Sequence, residues 1–351
     1  MKILFLPKYN IDGASSRYRT YQYLHLFRKN NIKCIVSSFF LLGHVKNHRK
    51  CPLFNYLLFP FCALRRTIIL PYCFFVDLII IEKEITPYFP PMFEFLLRIF
   101  KRKFLLDYDD AVYYCYKDNP NIFIKKLLSK KIDTIMSLAS GVITGSPSLT
   151  MFASQFNAKV LEIPTSIDID NYILYNSMES NIFIIGWIGS FATSQYIDTI
   201  EEALLSFLQQ TENTYLHLIG YKGNLAKKNS RIKIIPWSSD TEITELQKMN
   251  VGIMPLDDTP FAHGKCGFKL IQYMASQKPT ISTPFEANIK IDSGNGNLFA
   301  STQNDWLVAL LECYKNYEKY KQIGIENWRK VYDFYTIQSN WKKYIDFYGN
   351  L

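Results

Sequence analysis

No two cysteines in this 351-residue sequence stand at metal-ligand spacing. The seven cysteines are scattered, with Cys51, Cys62 and Cys73 eleven apart, and the five histidines (25, 44, 48, 217 and 263) are read as no metal site. A zinc site and a disulfide framework are therefore not expected. The opening run MKILFLPKYN is too short for a secretory signal and reads as a first buried strand. An odd cysteine count without such a signal points to reduced thiols in a cytoplasm. Long apolar runs are also missing. The most apolar region, YLLFPFCALRRTIILPYCFFVDLIII, is interrupted by Arg65, Arg66, Pro71 and Asp77. No stretch is then expected to reach the roughly 18 residues of a bilayer-crossing helix. P-loops, nucleic-acid motifs, low-complexity tracts, solenoid repeats and a local Ser-His-Asp arrangement are absent too.

What the chain does have is aromatic residues and an uneven charge. It carries 24 tyrosines and 26 phenylalanines, and a net charge of +9. Through Thr165 there are 23 Lys and Arg against 11 Asp and Glu; beyond it, 17 against 20. A basic, aromatic first half without a spanning helix suits attachment to an anionic membrane surface. The expectation is a cytoplasmic protein, peripheral on the inner face of the cytoplasmic membrane.

Apolar runs alternate with helical spacings along the whole length. KILFLP, KCIVSSF, VDLIIIE, RKFLLDY and GVITGS read as strands of a first half. The pattern restarts with NIFIIGWIGS, followed by YLHLIG, IKIIPW, VGIMPL and PTISTP. Alternation of this kind predicts an α/β chain with two Rossmann-like, doubly wound domains facing across a cleft. The expected boundaries are 1–165 and 166–335, with a link near 164–178 and a terminal helix at about 336–351 packing back on the first domain.

The chemistry concentrates in HGKCGFKLIQYMASQKPTIST. VGIMPL is a strand, DDTPFAHGKCG a polar loop, and FKLIQYMASQ a helix with Phe268, Ile271 and Met274 on one face. A helix start offers unpaired N–H groups and the positive end of its dipole. Gly264 and Gly267 would let backbone approach a ligand, and Lys265 and Lys269 add charge, which together suit a diphosphate. An ordinary loop with solvated lysines is the plain alternative. In GASSRYR after the first strand, Gly13 and Ala14 offer a backbone approach to phosphate, and Arg17 and Arg19 are candidate phosphate or acceptor contacts. They read equally as solvated helix charges. In LLDYDD, Asp107 and Asp109 make an Asp-x-Asp pattern that would suit a divalent ion. The two-domain pattern does not match the fold that uses it so, and no metal is expected there. Asp109 and Asp110 instead sit where an acceptor hydroxyl would arrive, to orient it or stabilise developing charge.

GKCGFKLIQYMASQKPTISTP resembles the signature region of retaining glycosyltransferases of family 4, which have the GT-B fold. The resemblance extends in order through GASSRYRTYQYL, LLDYDDAVYY, GWIGSFATSQYI and VGIMPLDD, most of the chain. It implies sugar transfer from a nucleotide-diphosphate sugar with retained anomeric configuration, without metal or cofactor. The donor would lie on the second domain and the acceptor on the first. Many relatives carry two glutamates eight residues apart, the later one bonding the donor ribose; here those positions hold Gly264 and Gln272. A glutamine amide still donates and accepts, without the strength of a carboxylate. The arginine and lysine that follow the first strand of the second domain in relatives are missing from FATSQY, leaving Ser190 and Thr193. Trp237 follows a strand where relatives seat the base. Lys265 is then a candidate for charge stabilisation beside the leaving diphosphate. The acceptor is expected to be a glycan, lipid-linked, in cell-surface polysaccharide assembly, with no role for nucleic acid. Two rivals share the fold: a nucleotide-sugar 2-epimerase, and a non-catalytic binding subunit.

Overall fold

The computed structural model describes residues 1–44, 52–172, 181–292, 294 and 296–351, with the side chains of 52–56 left out. Cys51 and the second half of the expected link, residues 173–178, lie outside the described residues. The chain divides into two compact units. The first comprises Met1–Ser166, Gly264–Cys266 and Asn340–Leu351; the second comprises Ile167–His263 and Gly267–Ser339.

The first unit is built on six parallel strands: β1 (Lys2–Leu6), β2 (Lys33–Val36), β3 (Leu78–Glu82), β4 (Phe104–Tyr108), β5 (Gly141–Thr144) and β6 (Val160–Glu162). Their order is β2-β1-β3-β4-β5-β6. All five residues of β3 and of β4 are buried. Strands covered on both faces read as near-continuous apolar runs, which is why LIIIE and FLLDY lack alternation. The sheet reverses its winding between β1 and β3, the switch point at which open α/β sheets place ligands beyond the strand ends. Tyr344 of the helix Ile337–Gly349 sets its ring edge-on to Tyr23 at 5.2 Å and its hydroxyl 3.3 Å from Asp107 Oδ2.

The second unit has its own six parallel strands: β7 (Phe183–Ile188), β8 (Thr214–Ile219), β9 (Ile232–Ile235), β10 (Val251–Met254), β11 (Thr280–Ser282) and β12 (Leu298–Phe299). The order β12-β11-β10-β7-β8-β9 is that of a dinucleotide-binding Rossmann sheet, with the switch point between β7 and β10. Successive residues of β7 feed opposite cores. Ile185 and Trp187 pack with Phe207, Leu218 and Trp306, whereas Ile184 and Ile188 pack with Leu270, Ile271 and Met274.

One expectation is corrected. The helix Pro52–Ile69 runs through Pro60 and continues as a tighter 3-10 turn over Leu70–Phe75. Among the described residues, Leu57–Phe75 is therefore one segment long and apolar enough to cross a membrane by length and composition. Neither the proline nor the arginines break it. Arg65 donates to the carbonyl of Ser38, and Arg66 Nη2 donates to that of Pro7 at 3.0 Å, so one side of the segment is fastened to the chain leaving β1 and β2.

Candidate functional site

Beyond the carboxyl ends of β1, β3 and β4 the first unit gathers a dense set of charges. Lys83 directly follows β3 in a left-handed backbone conformation, with φ 67°. Its Nζ lies 3.0 Å from Asp109 Oδ1 and donates to Ser15 Oγ at 3.0 Å. Ser15 in turn donates to Asp109 Oδ2. Burial would push the Asp109 carboxyl up, but the Lys83 ammonium and the Ser15 hydroxyl outweigh it and hold it at about 2. Burial likewise works against charge on Lys83, and Asp109, Asp110 and Glu82 more than restore it, so the ammonium sits well above its ordinary range. Ser16 Oγ accepts from the backbone of Tyr9 at 2.9 Å and donates to Glu82 Oε2 at 2.6 Å.

The loop Gly264–Cys266 belongs to this same unit, although the chain on either side of it belongs to the other. Lys265 Nζ donates to Asp110 Oδ1 at 2.8 Å. Cys266 Sγ donates to the backbone oxygen of Asp109 at 2.8 Å. The absence of a side chain at Gly264 serves protein packing: a Cβ there would stand 2.5 Å from Ala111 Cβ. The expected approach of Gly264 to a ligand is thus corrected to an approach to Ala111. Of the two carboxylates, Asp110 is the more accessible, its side chain 29% exposed against 12% for Asp109. Gly13 caps the helix Ala14–Arg19 from extended backbone and packs on Tyr9, where a Cβ would come within 2.3 Å.

Arg19 is a second correction. It is buried, with Nε and Nη2 on Asp107 Oδ1 at 2.9 and 2.6 Å and Nη1 on the carbonyl of Ile163 at 2.7 Å. Burial disfavours its charge, and Asp107 overcomes this, raising the guanidinium well above its ordinary value. Every nitrogen of Arg19 is thereby directed to protein, and a phosphate contact is not its role. Arg17, on the same helix, is half-buried and lies 4.8 Å from the ring centre of Tyr18. The Asp-x-Asp pattern is likewise turned to protein cations, Asp107 to Arg19 and Asp109 to Lys83.

In the second unit, the helix Phe268–Ala275 starts at Gly267, which adopts φ 64° and carries no side-chain cap. Left-handed backbone favours glycine, and a Cβ here would also meet Ile291 Cδ1 at 2.3 Å. Gly267 itself offers no side chain to the first N–H groups of this helix. Lys269, one residue in, places its ammonium 5.6 Å from the ring centre of Trp187. The two lysines that the sequence sets together therefore belong to different units. At the end of β7 the Ser190 backbone N–H donates to Thr193 Oγ1 at 3.0 Å, so the hydroxyl of Thr193, expected to meet a diphosphate, closes the turn instead.

Gln272 is the third correction. It is buried and donates through Nε2 to Glu242 Oε1 at 2.6 Å. The half-exposed Trp237 donates its indole N–H to the other oxygen of the same carboxylate. Buried Glu242 thus joins buried Gln272 and half-exposed Trp237 in one network, and a carboxylate is present near the helix after all, supplied by the helix Glu242–Gln247.

Sequence reasoning missed Glu82, Lys83, Ser15, Ser16 and Glu242. A signal existed for the first two, since charged residues directly close the all-apolar run LIII at a strand's carboxyl end. Ser15 and Ser16 lie inside GASS, beside the glycine and alanine that offer a backbone approach. Glu242 carried no local signal, because its partners are 5 and 30 residues away.

Glu82 gives a pH prediction. Burial pushes its carboxyl from 4.5 to about 6, outweighing the lowering influence of Lys83. A raised carboxyl favours folding while it is neutral, so that contribution is complete below pH 4.5 and lost as pH rises through about 6. Glu82→Gln is expected to stabilise the protein at pH 8 by about 1–2 kcal/mol and to leave it unchanged at pH 4. Melting curves of both proteins at the two pH values check this; equal shifts at both would contradict it. Asp109 acts oppositely. Its contribution is complete above its ordinary value of 3.8 and is lost as pH falls through about 2.

Residues 182–316 match the family described as Glycosyl transferases group 1. Along its full length the chain is similar to several solved structures. Anabaena HepE in complex with UDP and glucose is 13% identical, with 100% of both chains covered and a TM-score of 0.69. A glycosyltransferase from Rickettsia africae is 17% identical over 99% of this chain and 98% of that one, with a TM-score of 0.71. Sucrose-phosphate synthase from Thermosynechococcus elongatus is 11% identical over 100% and 98%, with a TM-score of 0.73. No curated protein matches the sequence. At these identities the likeness establishes the fold, two Rossmann-like units of the GT-B type.

Proposed function

We propose that the protein is a retaining glycosyltransferase, of the family 4 kind, that moves a sugar from a nucleotide-diphosphate sugar to a glycan acceptor without a metal ion. The observation that carries this reading is the family match over residues 182–316, which spans Ser190, Trp237, Lys265, Lys269 and Gln272. The glycine-led start of the helix Phe268–Ala275 and Lys269 would supply partial and full positive charge for a diphosphate. Ser190 adds a hydroxyl at the end of β7. Trp237 would form the wall against the base, and Glu242, fixed by Gln272, would receive the ribose hydroxyls. The similarity to HepE, solved with UDP and with UDP-glucose, favours a uridine donor. In the first unit Asp110 would orient the acceptor hydroxyl, Lys265 would hold Asp110 in place, and the proton would leave with the diphosphate. A lipid-linked acceptor suits the basic first half, within cell-surface polysaccharide assembly.

The test is thermal stabilisation by a panel of UDP-, GDP-, ADP- and dTDP-sugars, for the wild type and Lys269→Ala. One donor class is expected to stabilise the wild type, and about tenfold more of it should be needed for the same shift in the variant. Folded protein that no donor stabilises would sink the reading and favour a non-catalytic subunit.

A further inference from the structure

The segment Leu57–Phe75 is amphipathic the wrong way round for a helix packed on a sheet. Its inward side carries Cys62, Arg66 and Cys73, all buried. Arg66 is 1% exposed, its Nε and Nη1 have no hydrogen-bond partner, and burial lowers its guanidinium to about 9. Its outward side carries Leu57, Phe61, Leu64, Ile68, Tyr72 and Phe75, spaced three or four residues apart and between 41% and 71% exposed. Leu57, Phe61, Leu64 and Ile68, so spaced within the α-helical part, fall on one helical face. Ordinary amphipathic packing would bury this stripe and turn the arginine to water.

A second apolar surface continues the first. Phe74 meets Phe100 edge-on at 5.3 Å, and Arg102 Nε donates to the carbonyl of Cys73 at 3.1 Å. From this junction the helix Met92–Ile99 exposes Phe95, Leu96 and Ile99. Exposed charge on these two segments has one sign: Arg98, Lys101 and Lys103 are exposed, and the lone acid, Glu94, is buried. Exposed apolar side chains grouped on adjoining segments mark an interaction site, and exposed cations on the same segments specify the charge of what it meets.

We propose that this surface docks on an anionic phospholipid bilayer, with Leu57–Phe75 lying in the plane of the interface. A spanning arrangement would require the helix to leave the sheet to which Arg65 and Arg66 fasten it. An interfacial one needs only that the outward stripe enter the acyl boundary while Arg98, Lys101 and Lys103 reach the headgroups. A second copy of the chain is disfavoured, because pairing this surface with itself would bring like charges together.

The experiment is cosedimentation of the full chain with vesicles of phosphatidylcholine alone and of equimolar phosphatidylcholine and phosphatidylglycerol. It uses no donor sugar, so its failure is distinct from failure of the proposed activity. Binding is expected to the anionic vesicles only. It should fall roughly tenfold or more in Leu64→Glu/Ile68→Glu, and in Lys101→Glu/Lys103→Glu, with melting temperatures unchanged. Hydrogen exchange on the wild type gives the answer without substitution: slowing confined to 57–75 and 92–103 on anionic vesicles supports the proposal. Equal binding to neutral vesicles, no binding, or slowing elsewhere would overturn it. So would a dimer in lipid-free buffer that Leu64→Glu/Ile68→Glu dissolves.

Discussion

Replacing Arg19 by methionine is expected to destabilise the protein by about 3–5 kcal/mol, a fall in melting temperature on the order of 10 °C. The change leaves Asp107 buried with the 3.3 Å Tyr344 hydroxyl as its remaining side-chain donor, and leaves the carbonyl of Ile163 without Nη1. Removing one partner of a buried pair is costly because the other charge stays out of water. The double variant Arg19→Met/Asp107→Asn should recover a large part of the loss, since it removes the stranded carboxylate. Denaturant melts of the two variants and of Asp107→Asn alone close the cycle. If Arg19→Met instead melts like the wild type and weakens donor or acceptor binding, Arg19 is a phosphate ligand and its placement on Asp107 is wrong.

Asp110→Asn should do the reverse, leaving the fold intact and removing activity. Asp110 is partly exposed and pairs with partly accessible Lys265, and buried Lys83 keeps its ion pair with Asp109, so losing the charge of Asp110 leaves no buried ion without a partner. With Asp110 in its proposed role of orienting the acceptor hydroxyl, the substitution is expected to lower kcat by about 10²-fold or more without changing donor affinity. Asp109→Asn makes the informative contrast, because it abandons buried Lys83 and should lower stability as well as activity. Steady-state rates beside melting temperatures separate the two. An Asp110→Asn enzyme with kcat within about threefold of wild type would remove Asp110 from the reaction.

The sequence made the sheets legible because parallel strands are written as contiguous apolar runs bounded by turns. LIIIE, FLLDY and FIIGWI needed no partner information to be recognised. The edge strands β6 and β12 were less visible, being three and two residues long and only partly buried. Residue type and strand end single out Asp109, Asp110 and Lys265 in the sequence, and the structure brings the Lys265 loop onto Asp109 and Asp110. What each side chain holds was not legible, because the partners are remote in sequence. Arg19 meets Asp107 across 88 residues, Lys265 meets Asp110 across 155, and Gln272 meets Glu242 across 30. A helix such as Leu57–Phe75 misleads for a related reason. Its arginines look like interruptions of an apolar run until the structure turns them inward onto backbone carbonyls.

Catalysis of glycosyl transfer with retention is read from proton NMR of UDP-α-glucose and other α-configured nucleotide sugars incubated with the protein. The buffer should contain a chelator, and water should serve as the acceptor. Release of the nucleoside diphosphate with the α-anomer of the sugar appearing first is the result expected. A β-anomer first would contradict retention, and intact donors throughout, with folded protein, would contradict the catalytic reading itself.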